Sequence, residues 1–173
     1  KIETINIEDN ETGQALKKLI KRKENMNANI IEICEAICYG EKALEAIEMT
    51  IKELEAAENF ENSDGSNNIE NARGYAEQTH RMLGRFKKEL SDITIVTGTE
   101  IAVGTFENFA DCFFDNLIFD WVVQSGIRKS LDTVKNTKNQ LDKAMSKLYE
   151  EKVTEEFMIK QIEEQINQII EKV

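Results

Sequence analysis

Few groups in this chain can do chemistry, and their spacing decides what each is worth. Glu77 and His80 form a Glu-x-x-His pair, which on a helix sets a carboxylate and an imidazole on one face. A di-iron bundle needs two such motifs and two further carboxylates on facing helices. His80 is the single histidine, so the second motif does not exist, and the pair reads as a solvated flank beside Arg81. Cys34, Cys38 and Cys112 together with His80 would supply four zinc ligands. Structural zinc knuckles sit on loops or turns, whereas Cys34 and Cys38 lie four residues apart inside a helical pattern. They are expected to be buried free thiols acting as small hydrophobes. Their Cα atoms fall about 6 Å apart, but the parallel side-chain directions oppose a disulfide.

Glu107, Asp111 and Asp115 make an acidic stripe at helical spacing. No glycine-turned loop arranges these oxygens as an EF-hand would, so the stripe is expected to be solvated or paired with Lys17, Lys21 and Arg22. The stretch "VTGTEIAVG" at 96–104 has glycines but no lysine after them and no preceding strand, so a phosphate loop fails on context. No serine or cysteine carries a motif that would activate it as a nucleophile. The sequence therefore leads to the expectation of no catalytic residue, no metal site and no cofactor.

Composition narrows the class of object. The 173 residues are 40% hydrophobic, with no proline and eight glycines, and the mean hydropathy is −0.47. Sheets joined by tight turns use more proline and glycine, so the expected class is all-α. The formal charge of −11 argues against a nucleic-acid partner, because phosphate backbones repel so acidic a surface. One basic run, "KKLIKRK" at 17–23, could bind an anionic membrane surface, although such a run more commonly pairs with carboxylates on a neighbouring helix. Three sparse thiols, and no apolar leader-like run near Lys1, lead to the expectation of a reducing, cytoplasmic setting.

The elements follow from hydrophobic spacing. From Leu16 a heptad seam runs through Leu19, Met26, Ile30, Ile33, Ile37, Leu44, Ile47, Ile51 and Leu54, which predicts a helix over 12–60. The loop "ENSDGSNN" follows, with Asn67 and Glu70 in capping-box positions. A second seam, Ile69, Ala72, Ala76, Thr79, Leu83, Phe86, Leu90 and Ile93, predicts a helix over 68–93 antiparallel to the first. Residues 94–105 read as an apolar connector. A third seam runs from Phe106 onward, and Ser125–Gly126 divides it into helices over 106–124 and 127–173. Lys152 and Glu155 interrupt its apolar character, so a turn near 152–154 competes with continuation, which the absence of Gly, Pro and Asn there favours. These elements make one domain, an elongated antiparallel helical bundle with coiled-coil character.

The segment 109–124, "FADCFFDNLIFDWVVQ", is apolar nearly all round. A membrane span is excluded by Glu107, Asp111, Asp115 and Asp120, since each acid at membrane depth costs about 2–3 kcal/mol. Phe113, Phe114 and Trp121 share one broad face, Cys112, Phe119 and Val123 line a second, and Phe109 lies between them. Two long helices with narrow seams cannot cover both faces, so these seven residues are the expected interface of a homodimer or of a helical protein partner. The expected function is a non-catalytic interaction or scaffold module. The alternatives are a metal- or ligand-binding bundle and an anionic-membrane binder using 17–23.

Overall fold

The computed structural model describes residues 11–59, 65–93 and 124–172. The expected connector at 94–105, the expected helix at 106–124 up to Val123, and the interface residues Phe109, Cys112, Phe113, Phe114, Phe119, Trp121 and Val123 lie outside them. The described residues form an all-α bundle of three helices, α1 (Glu11–Asn59), α2 (Gly65–Asp92) and α3 (Gln124–Ile170). At 49 and 47 residues, α1 and α3 are each about 70 Å long.

One boundary differs from expectation. The helix α3 begins at Gln124, so Ser125–Gly126 lies in its first turn and does not separate two helices. First-turn amides have no intrahelical partner in any case, so serine and glycine cost little there. Near 152–154 the favoured continuation holds, and α3 runs without a turn. Glu155, which breaks the apolar seam, is fully buried and accepts a hydrogen bond from the Asn29 side chain of α1. A polar contact replaces an apolar one, and the helix runs through.

Cross-helix partners fix the registers. Between α1 and α3, Glu58 pairs with Arg128 at 2.9 Å, Glu55 with Lys135 at 2.7 Å, Glu48 with Lys138 at 3.4 Å and Lys23 with Glu163 at 2.7 Å. The partner on α3 advances as the residue on α1 recedes, so the two helices are antiparallel along nearly their whole length. Between α1 and α2, Asn71 donates to Glu53 at 3.3 Å, and Phe86 packs over Gly40. This pair is also antiparallel, which makes α2 and α3 parallel, both packed on α1.

The burial pattern shows why α1 holds both neighbours. Ile33, Gly40, Ile47 and Leu54 are all buried, and so is a second column of smaller residues, Asn29, Ala36, Ala43, Thr50 and Ala57. The small column lets α2 approach closely, while larger residues on the other side of the first column meet α3. Thr50 and Thr137 sit in this core because each hydroxyl donates to a carbonyl four residues back, at 2.8 and 2.9 Å, which satisfies it locally. Gly40 marks the tightest point. A Cβ there would overlap Met145 Sδ of α3 and come within 3.1 Å of Phe86 of α2.

The α1–α2 register sets the asymmetry of the bundle. It places the C-terminus of α2 beside Glu32, roughly 30 Å from the start of α1 at the helical rise. Among the described residues, the first half of α1 therefore packs on α3 alone, through Met26, Ile159 and Ile162.

Candidate functional site

The end of α2 leaves a step where three helices become two. A cavity of about 530 Å³ opens at this step, with Arg22, Asn29, Glu32, Asp92 and Glu155 among the residues on its wall. Glu155 is the chemically unusual member. It is 0% exposed; Oε1 accepts from Asn29, while Oε2 has no hydrogen-bond partner. Burial pushes its carboxyl above the usual range; the Asn29 bond opposes the shift, and the nearby Glu151 carboxylate adds to it.

A second acidic group lies at the same step. Glu32 and Glu35 are three residues apart on α1, and Glu89 faces them from α2. Their carboxylate oxygens all lie within 4.8 Å of one another. At that separation each like-charged pair repels by about 1 kcal/mol in water, and by several times that where water is excluded. Glu89 is 8% exposed, yet its carboxylate oxygens are not among the buried side-chain atoms that lack a partner. Of the basic residues on α2, Arg73 pairs within its own helix, with Glu70 at 3.9 Å. Arg85 lies over the Tyr39 ring at 5.9 Å, and the ion pairs of Glu48, Glu55 and Glu58 run to α3 instead.

A third feature is apolar and exposed. Val153 is 65%, Phe157 60% and Ile31 58% exposed, and Tyr149 is 43% exposed. Tyr149, Val153 and Phe157 recur every four residues along one face of α3. The Tyr149 hydroxyl donates to Glu41 at 2.5 Å, which puts this face on the same side of the α1–α3 seam as Glu41. The antiparallel register sets Ile31 beside Phe157 and Cys34 beside Val153. Cys34 is half-buried and Cys38 exposed, both as free thiols, so the expectation of a buried pair is corrected. Cys38 lies beyond the α1–α3 seam, and among the described residues no helix covers it.

The remaining sequence candidates are not brought together. Glu77 and His80 are both exposed on α2. Among the described residues, the grouping suited to a metal contains neither His80 nor a cysteine. Glu107, Asp111 and Asp115 lie outside the described residues. Of the basic run, Lys23 binds Glu163 and Arg22 lies on the cavity wall.

Sequence reasoning missed the glutamate cluster and the exposed strip. Glu32, Glu35 and Glu89 read as ordinary charges in a chain with 33 acidic residues. The strip had a signal, since Tyr149, Val153 and Phe157 stand off the main seam at four-residue spacing. No known protein family, curated protein or solved structure matches the chain. No helix among the described residues is long and apolar enough to cross a membrane.

Proposed function

We propose that the protein is a non-catalytic self-association module, and that two copies pair through the strip formed by Ile31, Tyr149, Val153 and Phe157. The observation that carries this reading is the exposure of these four side chains on one side of a single helix pair. A contiguous apolar patch of this kind on a soluble surface marks a partner site. The coiled-coil seam, on this reading, serves to build a long straight surface.

Charge favours a second copy as the partner. A two-fold axis through Ile31 sets Ile31 on its own mate and Val153 on Phe157. The same axis brings Lys17 opposite Glu45 and Lys160 opposite Glu150, with each pair equidistant from the centre. All four are exposed, and among the described residues none is held in an ion pair within its own chain. An isologous contact of this form closes as a dimer, with an apolar centre and a charged rim.

Sedimentation velocity tests the reading. The wild-type chain is expected at twice its 19.8 kDa mass, and Phe157→Asp at the monomer mass with unchanged helix content. A dimer that survives Phe157→Asp and Val153→Asp but dissociates in Phe119→Asp would move the interface to 109–123. A wild-type monomer at high concentration would end the self-association reading.

A further inference from the structure

We propose that Lys42, Arg81, Arg85 and Lys88, the exposed cations of the α1–α2 seam, form a docking surface for a short acidic segment of a protein partner. All four side chains are exposed. Arg81, Arg85 and Lys88 follow one another at spacings of four and three on α2, so they share one face over about 10 Å of helix. Lys42 joins them from α1 through Tyr39. The Lys42 ammonium lies 5.2 Å from the centre of the Tyr39 ring, and the Arg85 guanidinium 5.9 Å. The chain has 33 acidic residues and a formal charge of −11, so anions for pairing are abundant. Among the described residues, none of these four cations is held in an ion pair.

Two further observations point to a ligand. The first is how Arg85 is held. A cation over an aromatic ring is positioned by the ring's quadrupole, which uses none of its N–H donors. Among the described residues those donors meet no protein acceptor. Arg85 therefore presents a positioned, open fork, the geometry that takes a carboxylate through two parallel hydrogen bonds. The second is Gly84, which lies on the same face as Arg81, Arg85 and Lys88. No atom comes within 4 Å of the place its Cβ would occupy. Glycine inside a helix is destabilising relative to alanine, and here it leaves a notch among three cations where a partner chain can come close to the backbone.

The surroundings select the class of partner. Glu77 lies one turn before Arg81, and Glu35 lies beside Glu89, next to Lys88. Both are exposed, so a long polyanion such as nucleic acid meets repulsion at each end of the patch, while a short run of Asp or Glu side chains fits between them. Arginine and tyrosine at the centre are the residue types that anchor protein interfaces. The strip proposed for self-association lies at the α1–α3 seam, so this surface is a second one.

Fluorescence anisotropy of a labelled hexaglutamate peptide, titrated with the full chain at low salt, tests this. Net charge opposes nonspecific association of two acidic molecules, so saturable binding reports the patch, and it is expected to weaken as salt is raised. Arg81→Gln and Arg85→Gln, made together, are expected to weaken binding by about tenfold or more, the scale of a lost hydrogen bond to a charged group, with helix content unchanged. Arg85→Lys keeps the charge without the fork and is expected to weaken binding roughly threefold. Lys52→Gln, at an exposed position elsewhere on α1, should bind as the wild type does. Phosphatidylserine vesicles and a single-stranded oligonucleotide serve as competing anions. Absence of saturable hexaglutamate binding up to millimolar chain, or binding unaltered in the double arginine variant, would overturn the proposal. Capture of either competing anion through the same arginines, with hexaglutamate left unbound, would overturn it too, by assigning the patch to another class of partner.

Discussion

Phe86→Ala is expected to cost about 3–5 kcal/mol of stability, the range for truncating a fully buried aromatic side chain. Phe86 is 0% exposed and sits where side chains of all three helices meet. Its ring lies over Gly40 of α1 beside Met145 of α3. The backbones of α2 and α3 stay apart, so neither can move in to fill the space. Urea unfolding should show a lower midpoint with little change in slope. A loss below about 1 kcal/mol would mean that Met145, a flexible gap-filler, collapses into the vacated volume and that the junction is not tightly packed.

Glu155→Gln is expected to do the opposite, raising stability at pH 7, because it removes a charge that burial opposes. Glutamine keeps an oxygen for the Asn29 amide and removes the charge that burial opposes. Glu155→Leu is a poorer replacement, since it strips Asn29 of this acceptor. The pH dependence follows from the direction of the shift. Burial raises the folded carboxyl above its ordinary value of 4.5, so the folded chain holds a proton that the unfolded chain has released. The contribution to stability is complete below the ordinary value and is lost as pH rises through the raised one. Unfolding curves taken in chelator from pH 4 upward should therefore show the wild type losing stability relative to Glu155→Gln across that window. A constant difference between the two proteins at every pH would contradict this.

Long-range partners explain what was and was not legible in the sequence. The helix expected at 12–60 is α1, Glu11–Asn59, because its apolar seam repeats locally for many turns. The seam expected for α2 is equally faithful, with Ala72, Ala76, Leu83, Phe86 and Leu90 all buried. The column Ala36, Ala43, Thr50 and Ala57 went unread because small residues carry little hydropathy, and only a second neighbour for α1 explains their burial. Glu155 looked like a flaw in its seam because its partner Asn29 lies 126 residues away. The glutamate cluster has the same origin, since Glu89 meets Glu32 and Glu35 only through the α1–α2 register. Cys38 was misplaced because it lies one column outside the seam, where α3 does not reach.

The central claim is that two copies meet with Ile31 on the symmetry axis, and a cross-linking measurement tests it most directly. Cys34, Cys38 and Cys112 are first replaced by serine. Ile31→Cys is then oxidised mildly in that background, and Lys52→Cys, at an exposed position on the same column of α1, serves as the control. Across the proposed axis, the two copies of position 52 lie roughly 60 Å apart at the helical rise. The account predicts rapid, near-complete covalent dimer for Ile31→Cys and little for Lys52→Cys. Equal rates for the two variants would contradict it.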